Sequence, residues 1–155
     1  LAPDSDPAGA GVYVSEPDRA REAALEHMKL THHGEKMEHA AHFLFDILLP
    51  VLDGADLGET LEAAINRQDN PYYGHSFRKW LPQPDEWIVG ARVSSACYVP
   101  ESVPAVIYLA LKYHDRPEEG LIANTNLGGE NAARGTGLFR NGPVPESIAI
   151  RSGRL

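Results

Sequence analysis

The sequence has a single cysteine, Cys97, so no intrachain disulfide can staple it and no structural zinc site can be built on several thiolates. Positive charge is scarce. Lys and Arg number 14 against 22 Asp and Glu, and the formal net charge of −8 argues against a phosphate-driven grip on nucleic acid and against a polybasic membrane anchor. Long apolar runs are missing as well: the longest, Phe43 to Leu52, is broken by Asp46 and Pro50 and falls short of the ~20 residues of a membrane-spanning helix. The opening segment Leu1-Ala-Pro-Asp-Ser-Asp-Pro7 is acidic, the opposite of a basic region leading an apolar stretch. No targeting signal is read there, and a soluble, cytoplasmic protein is expected. Neither His-Glu-x-x-His nor Gly-x-Ser-x-Gly occurs, which removes the simplest zinc-hydrolase and serine-hydrolase readings.

What is present is an ordinary soluble composition, 43% apolar and 23% charged, over 155 residues, which rules out disorder throughout the chain. A domain of this length buries about 68–70% of its unfolded surface, enough for a real core.

Amphipathic periodicity predicts three helices in the first half. Ser15-Glu-Pro-Asp18 reads as a helix start, with Ser15 as cap and Pro17 in the first turn, and that helix should reach Lys29. A second begins near Glu35 with Met37, Ala40, Ala41, Leu44, Ile47, Leu48, Val51 and Leu52 as its stripe, and Pro50 bends or ends it. Asp56 caps a third that Asn70-Pro71 stops. Between Asn70 and Tyr98 the period is lost, yet six of the twelve aromatics fall there, which predicts a packed, irregular segment. The run from Glu101 to Tyr113 is apolar nearly all round and reads as a central buried helix, followed by another from Pro117 to about Asn126 that Gly128-Gly129 ends. Short strand signals are confined to Gly11–Val14 and Ser147–Ile150, so the expected fold class is all-α.

Five groups of residues could carry chemistry. Glu35, Glu38, His39 and His42 have spacings compatible with metal ligands, but they flank an apolar stripe and read better as a solvated helix edge. Cys97 has no neighbouring His and reads as a small buried hydrophobe. Thr31-His-His-Gly34 is a polar hinge between two helices, open either to an anion at the next helix start or to a Thr cap beside a surface His; on spacing alone the cap is the stronger reading. Asn124-Thr-Asn-Leu-Gly-Gly-Glu-Asn131 gathers amides, a glycine pair and a carboxylate, where backbone can approach a ligand and Glu130 can offer oxygen to a hard cation. The same residues also read as a helix end followed by a helix start. The aromatics Tyr72 to Trp87 read mainly as packing, with base stacking as the alternative.

In order along the chain, Leu30-Thr-His-His33, then Tyr98-Val-Pro-Glu-Ser-Val-Pro-Ala-Val-Ile-Tyr-Leu-Ala-Leu111, then Asn124-Thr-Asn-Leu-Gly-Gly-Glu-Asn-Ala-Ala-Arg-Gly135 resemble the C-terminal half of the ADP-ribosylglycohydrolase family, in its crystallin J1 and dinitrogenase-reductase-activating branches. The resemblance spans about Val14 to Gly135. It implies an orthogonally packed helical bundle over residues 1–135 and leaves 136–155 as an irregular tail. It further implies hydrolysis of the glycosidic bond between ADP-ribose and a modified side chain or related acceptor, with two Mg2+ ions in a cleft. Such a reaction passes through an oxocarbenium-like state, and a metal pair would fix ribose hydroxyls and acidify the attacking water.

Residue by residue, the resemblance puts Thr31, His32, Gly128, Gly129 and Asn131 against ADP-ribose and makes Glu130 the catalytic and metal-ligating carboxylate. Three departures accompany it. Ala132 stands where a second carboxylate is expected, the acidic motifs of the family's N-terminal half are not found, and the Gly/Ala-rich closing helix gives way from Thr136 to a segment with Pro143 and Pro145. With Leu1 in place of Met, the chain reads as the second half of a larger fold whose metal site another segment or chain completes. A non-catalytic, crystallin-like structural or ADP-ribose-binding protein is the alternative that Ala132 motivates.

Overall fold

The computed structural model describes residues 16–96 and 98–140. Among them the chain is helix-only, as expected, with eight helices, no strand, and one isolated parallel bridge between Val89 and Val93. It forms two compact units that divide after His75. No helix among the described residues is long and apolar enough to cross a membrane.

The first unit is a serial packing of α1 (Pro17–Lys29), α2 (Glu35–Leu52) and α3 (Leu57–Asn66), each against the next. In α1, Pro17 lies in the first turn, where its missing N–H costs nothing; the N-cap position falls on Glu16, without a side-chain cap bond, rather than on the expected Ser15, which lies outside the described residues. The core side of α2 is Ala40, Phe43 and Ile47. Phe43 thus takes the central place, while Leu44 is only half-buried, a rotation of the expected stripe by one residue. Its ring meets Tyr72 edge-on at 5.4 Å. Pro50 does not end the helix, which runs two residues further to Leu52. Asp56 caps α3 as expected, its carboxylate accepting from the Glu59 N–H at 2.8 Å, and Leu57, Leu61, Ala64 and Ile65 are buried.

α3 stops at Asn66, four residues before the expected Asn70. The cause lies in side chains that hold the following backbone away from the helix. Arg67 turns extended, and its guanidinium donates to Asp46 at 2.6 Å and to both oxygens of Asp69 at 2.9 and 2.6 Å. The buried Asn70 donates to the Ile65 carbonyl at 3.2 Å and accepts from the Tyr72 N–H at 2.7 Å, closing the turn. Asp46 also pairs with Arg21 of α1 at 2.7 Å, so one carboxylate ties α1, α2 and the end of α3 together.

The second unit begins with two single-turn helices inside the aromatic segment, α4 (Phe77–Trp80) and α5 (Asp85–Ile88). They precede α6 (Val99–Tyr113), α7 (Pro117–Asn126) and α8 (Asn131–Arg140), which pack in all three pairings. As its composition predicted, α6 is buried continuously from Val103 to Leu111. Phe77, Trp80, Ile88, Val89 and Val93 are buried too, with ring contacts from Phe77 to Trp80 at 5.2 Å and from Trp80 to Tyr108 at 6.4 Å. Tyr72, Phe77 and Trp80 thus pack as expected, while Tyr73 and Trp87 are exposed.

Polar atoms on α6 anchor α5. Asp85 accepts from Tyr108 Oη at 2.7 Å, Lys112 Nζ at 2.6 Å and Tyr113 Oη at 2.6 Å, and Lys112 donates also to the Gln83 carbonyl at 2.7 Å. Burial pushes the Asp85 carboxyl upward, but the three donors outweigh it and hold the group below the ordinary carboxylate range. The final helix extends to Arg140, five residues into the stretch read as irregular from Thr136, so a helix does follow the glycine pair. It fits because Gly137 lets it approach α6: a Cβ there would stand 2.9 Å from Val106 Cγ1. Residues 141–155 and both strand signals lie outside the described residues.

Candidate functional site

The Asn124–Asn131 segment folds as a tight reversal from α7 into α8. Gly128 and Gly129 both have φ of +63°, the left-handed region that a helix end commonly uses and that side chains resist. Gly129 is constrained a second time. A Cβ on it would lie 2.5 Å from the Ser95 carbonyl oxygen, 2.6 Å from Ser95 Cβ and 2.8 Å from Ser95 Oγ, whereas a Cβ on Gly128 meets nothing within 4 Å. Ser95 is thus a wall of the turn. Its carbonyl accepts from the Glu130 N–H at 2.9 Å, and the Asn131 N–H bonds back to the Gly129 carbonyl at 2.9 Å.

Behind the turn lies Arg134, on the second turn of α8 and only 1% exposed. Its Nε donates to Asn124 Oδ1 at 2.9 Å, one terminal nitrogen donates to the Ser95 carbonyl at 3.1 Å, and the other donates to the Gly128 carbonyl. Asn124, itself 3% exposed, donates through Nδ2 to the Asn131 carbonyl at 2.8 Å. Burial lowers the Arg134 pKa, and the negative charge of Glu130 opposes that shift. Asn124 was visible as part of the amide-rich segment. Ser95 and Arg134 were not singled out, since Ser95 is 39 positions from Arg134 and nothing in the spacing announces the pair.

Of the residues expected to form a site, Gly128, Gly129, Glu130 and Asn131 are therefore held together in one turn. Glu130 is exposed and Asn131 half-buried. Ala132, exposed in the first turn of α8, cannot supply an oxygen. Among the described residues no group of three or more His, Cys, Asp or Glu side chains converges. Mg2+ demands six oxygens in near-octahedral array, and Glu130 provides one carboxylate. These residues by themselves do not fit a magnesium site.

Thr31 and His32 lie in the other unit, just past the end of α1. Both are exposed, and Thr31 Oγ1 is 2.9 Å from His32 Nδ1 and 3.3 Å from the Met28 carbonyl. The hydroxyl has one proton. If it donates to Met28, His32 Nδ1 must carry a proton and donate to it. The metal-like spacing on α2 dissolves into a helix edge: His39 and His42 are exposed, and His39 Nε2 is 3.9 Å from Glu35. Cys97 lies outside the described residues.

A glycine turn propped from beneath, with a carboxylate at its rim and an all-α scaffold around it, occupies the segment on which the sequence resemblance is most specific. A family model described as ADP-ribosylglycohydrolase matches residues 4–136, and the chain belongs to the ADP-ribosylglycohydrolase family. No curated protein and no solved structure matches it.

Proposed function

We propose that this chain serves hydrolysis of the glycosidic bond that joins ADP-ribose to a modified side chain or related acceptor. Family membership over residues 4–136 carries the reading, and the propped turn supports it by offering rigid main chain beside a carboxylate. In this reading water adds to the anomeric carbon as the bond to the acceptor breaks, which yields free ADP-ribose and the unmodified acceptor. Glu130 is the catalytic carboxylate and orients the water; Gly128, Gly129 and Asn131 bind the nucleotide through main chain. Magnesium has one candidate ligand here, Glu130, and the remainder of its oxygens would come from outside the described residues.

The test is release of ADP-ribose from an ADP-ribosylated acceptor, followed chromatographically. Glu130→Gln should slow turnover by about 100-fold or more, the usual range for a positioned acid–base group; undiminished turnover refutes the role of Glu130. A second reading rests on Ala132 in place of a carboxylate: a non-catalytic, crystallin-like protein that binds ADP-ribose or is purely structural. Micromolar binding of ADP-ribose by calorimetry without turnover decides for it, and turnover removes it.

A further inference from the structure

Arg134 is the largest of the fully buried side chains, and a guanidinium is a costly group to bury. Among the described residues its hydrogen-bond partners are neutral oxygens, and the Glu130 carboxylate acts on its charge without bonding to it. Those oxygens come from three segments: Asn124 near the end of α7, Ser95 in the loop before α6, and Gly128 in the turn itself. A planar fork that donates in several directions at once suits this task, and an ammonium does not. The Ser95 carbonyl it holds is the same one that accepts from the Glu130 N–H.

We propose that Arg134 is the positioning residue of the Gly128–Asn131 turn. Through Ser95 and Gly128 it fixes the main chain that grips the ligand and the carboxylate that follows, and its positive charge beneath the turn, offset only in part by Glu130, favours an anionic group above it. The inference rests on the functional reading above for the identity of that anion, the diphosphate of ADP-ribose. Arg134 touches no reacting atom in this assignment.

The experiment compares the full chain with Arg134→Lys, which keeps the charge without the fork, Arg134→Gln, which loses both, and Phe77→Leu, a buried change in α4 of the same unit. Hydrogen exchange at the Glu130 amide, ADP-ribose affinity by calorimetry, and KM and kcat are measured beside the melting temperature. Both Arg134 variants should speed Glu130 exchange at least tenfold, weaken ADP-ribose at least tenfold and raise KM more than they lower kcat, whereas Phe77→Leu lowers melting and leaves these values unchanged. Wild-type affinity in both Arg134 variants, or an equal loss in Phe77→Leu, overturns the inference. If the wild-type chain neither binds nor cleaves, the functional reading fails separately, and unchanged Glu130 exchange in Arg134→Lys still overturns the positioning role. Should the Arg134 variants fail to fold, Asn124→Ser, which shortens one of its acceptors, is read by the same exchange measurement and in the same direction.

Discussion

Two adjacent glycines with the same backbone angle offer a controlled measurement of what the turn costs to perturb. Gly128→Ala and Gly129→Ala each force an L side chain to φ of +63°, a strain of about 1–2 kcal/mol. At Gly128 nothing lies within 4 Å of the new methyl, so that strain is the whole expected effect. At Gly129 the methyl meets the Ser95 carbonyl oxygen at 2.5 Å. That oxygen cannot retreat without loosening its bonds to the Glu130 N–H and to Arg134. Overpacking adds about 1–3 kcal/mol and each of the two weakened hydrogen bonds about 0.5–1.5 kcal/mol, which brings Gly129→Ala to roughly 3–8 kcal/mol. Both tryptophans, Trp80 and Trp87, belong to the unit that contains the turn, so urea unfolding followed by their fluorescence reports on the relevant half of the chain. Equal unfolding midpoints for the two variants would refute the reasoning, because only contact with Ser95 distinguishes them.

Other expectations follow from the polar anchors. Asp85→Asn leaves the Lys112 ammonium without its counter-charge and weakens three bonds, so the same fluorescence assay should show a loss of about 2–4 kcal/mol. Because the Asp85 pKa is lowered in the fold, its contribution is present above the unfolded value of about 3.9 and declines as pH falls below it; the Asn variant should have a flatter acid limb. Tyr113, raised to about 12 chiefly by burial and then by Asp85, acts at the other end: the unfolded phenol ionises first, so stability drops as pH rises from about 10 towards 12, and Tyr113→Phe should blunt that drop. Asp56→Ala removes the cap bond to Glu59 and should cost about 0.5–2 kcal/mol by thermal unfolding, with Asp56→Asn nearer to wild type.

The helices legible in the sequence are those whose signal is local: the Pro17 start, the Asp56 cap, the unbroken apolar run of α6. Where the structure departs, a distant partner decides. α3 ends early because Arg67 answers to Asp46, 21 positions back, and α4 and α5 are single turns held by aromatic packing and by Tyr108, Lys112 and Tyr113, too short to show a period. Polar groups at Tyr108 and Lys112, four residues apart on an otherwise apolar helix, were a usable hint that a buried acceptor must exist. The glycine turn was legible for the same local reason as the caps. Its underside was not, since Arg134 reads in sequence as one more surface cation and only the fold shows it to be 1% exposed.

The all-round packing of α6 to α8 also bears on how this half of the molecule assembles. The three helices are joined by connections of three and four residues, 114–116 and 127–130, so their mutual contacts close over short stretches of chain and carry little loop entropy. The longer closure is the one that brings Ser95 to residues 129–134. The element proposed to hold a nucleotide is then also a seam that closes over 39 residues of chain, and a ligand that favours the closed seam would draw the whole unit towards its folded state by mass action.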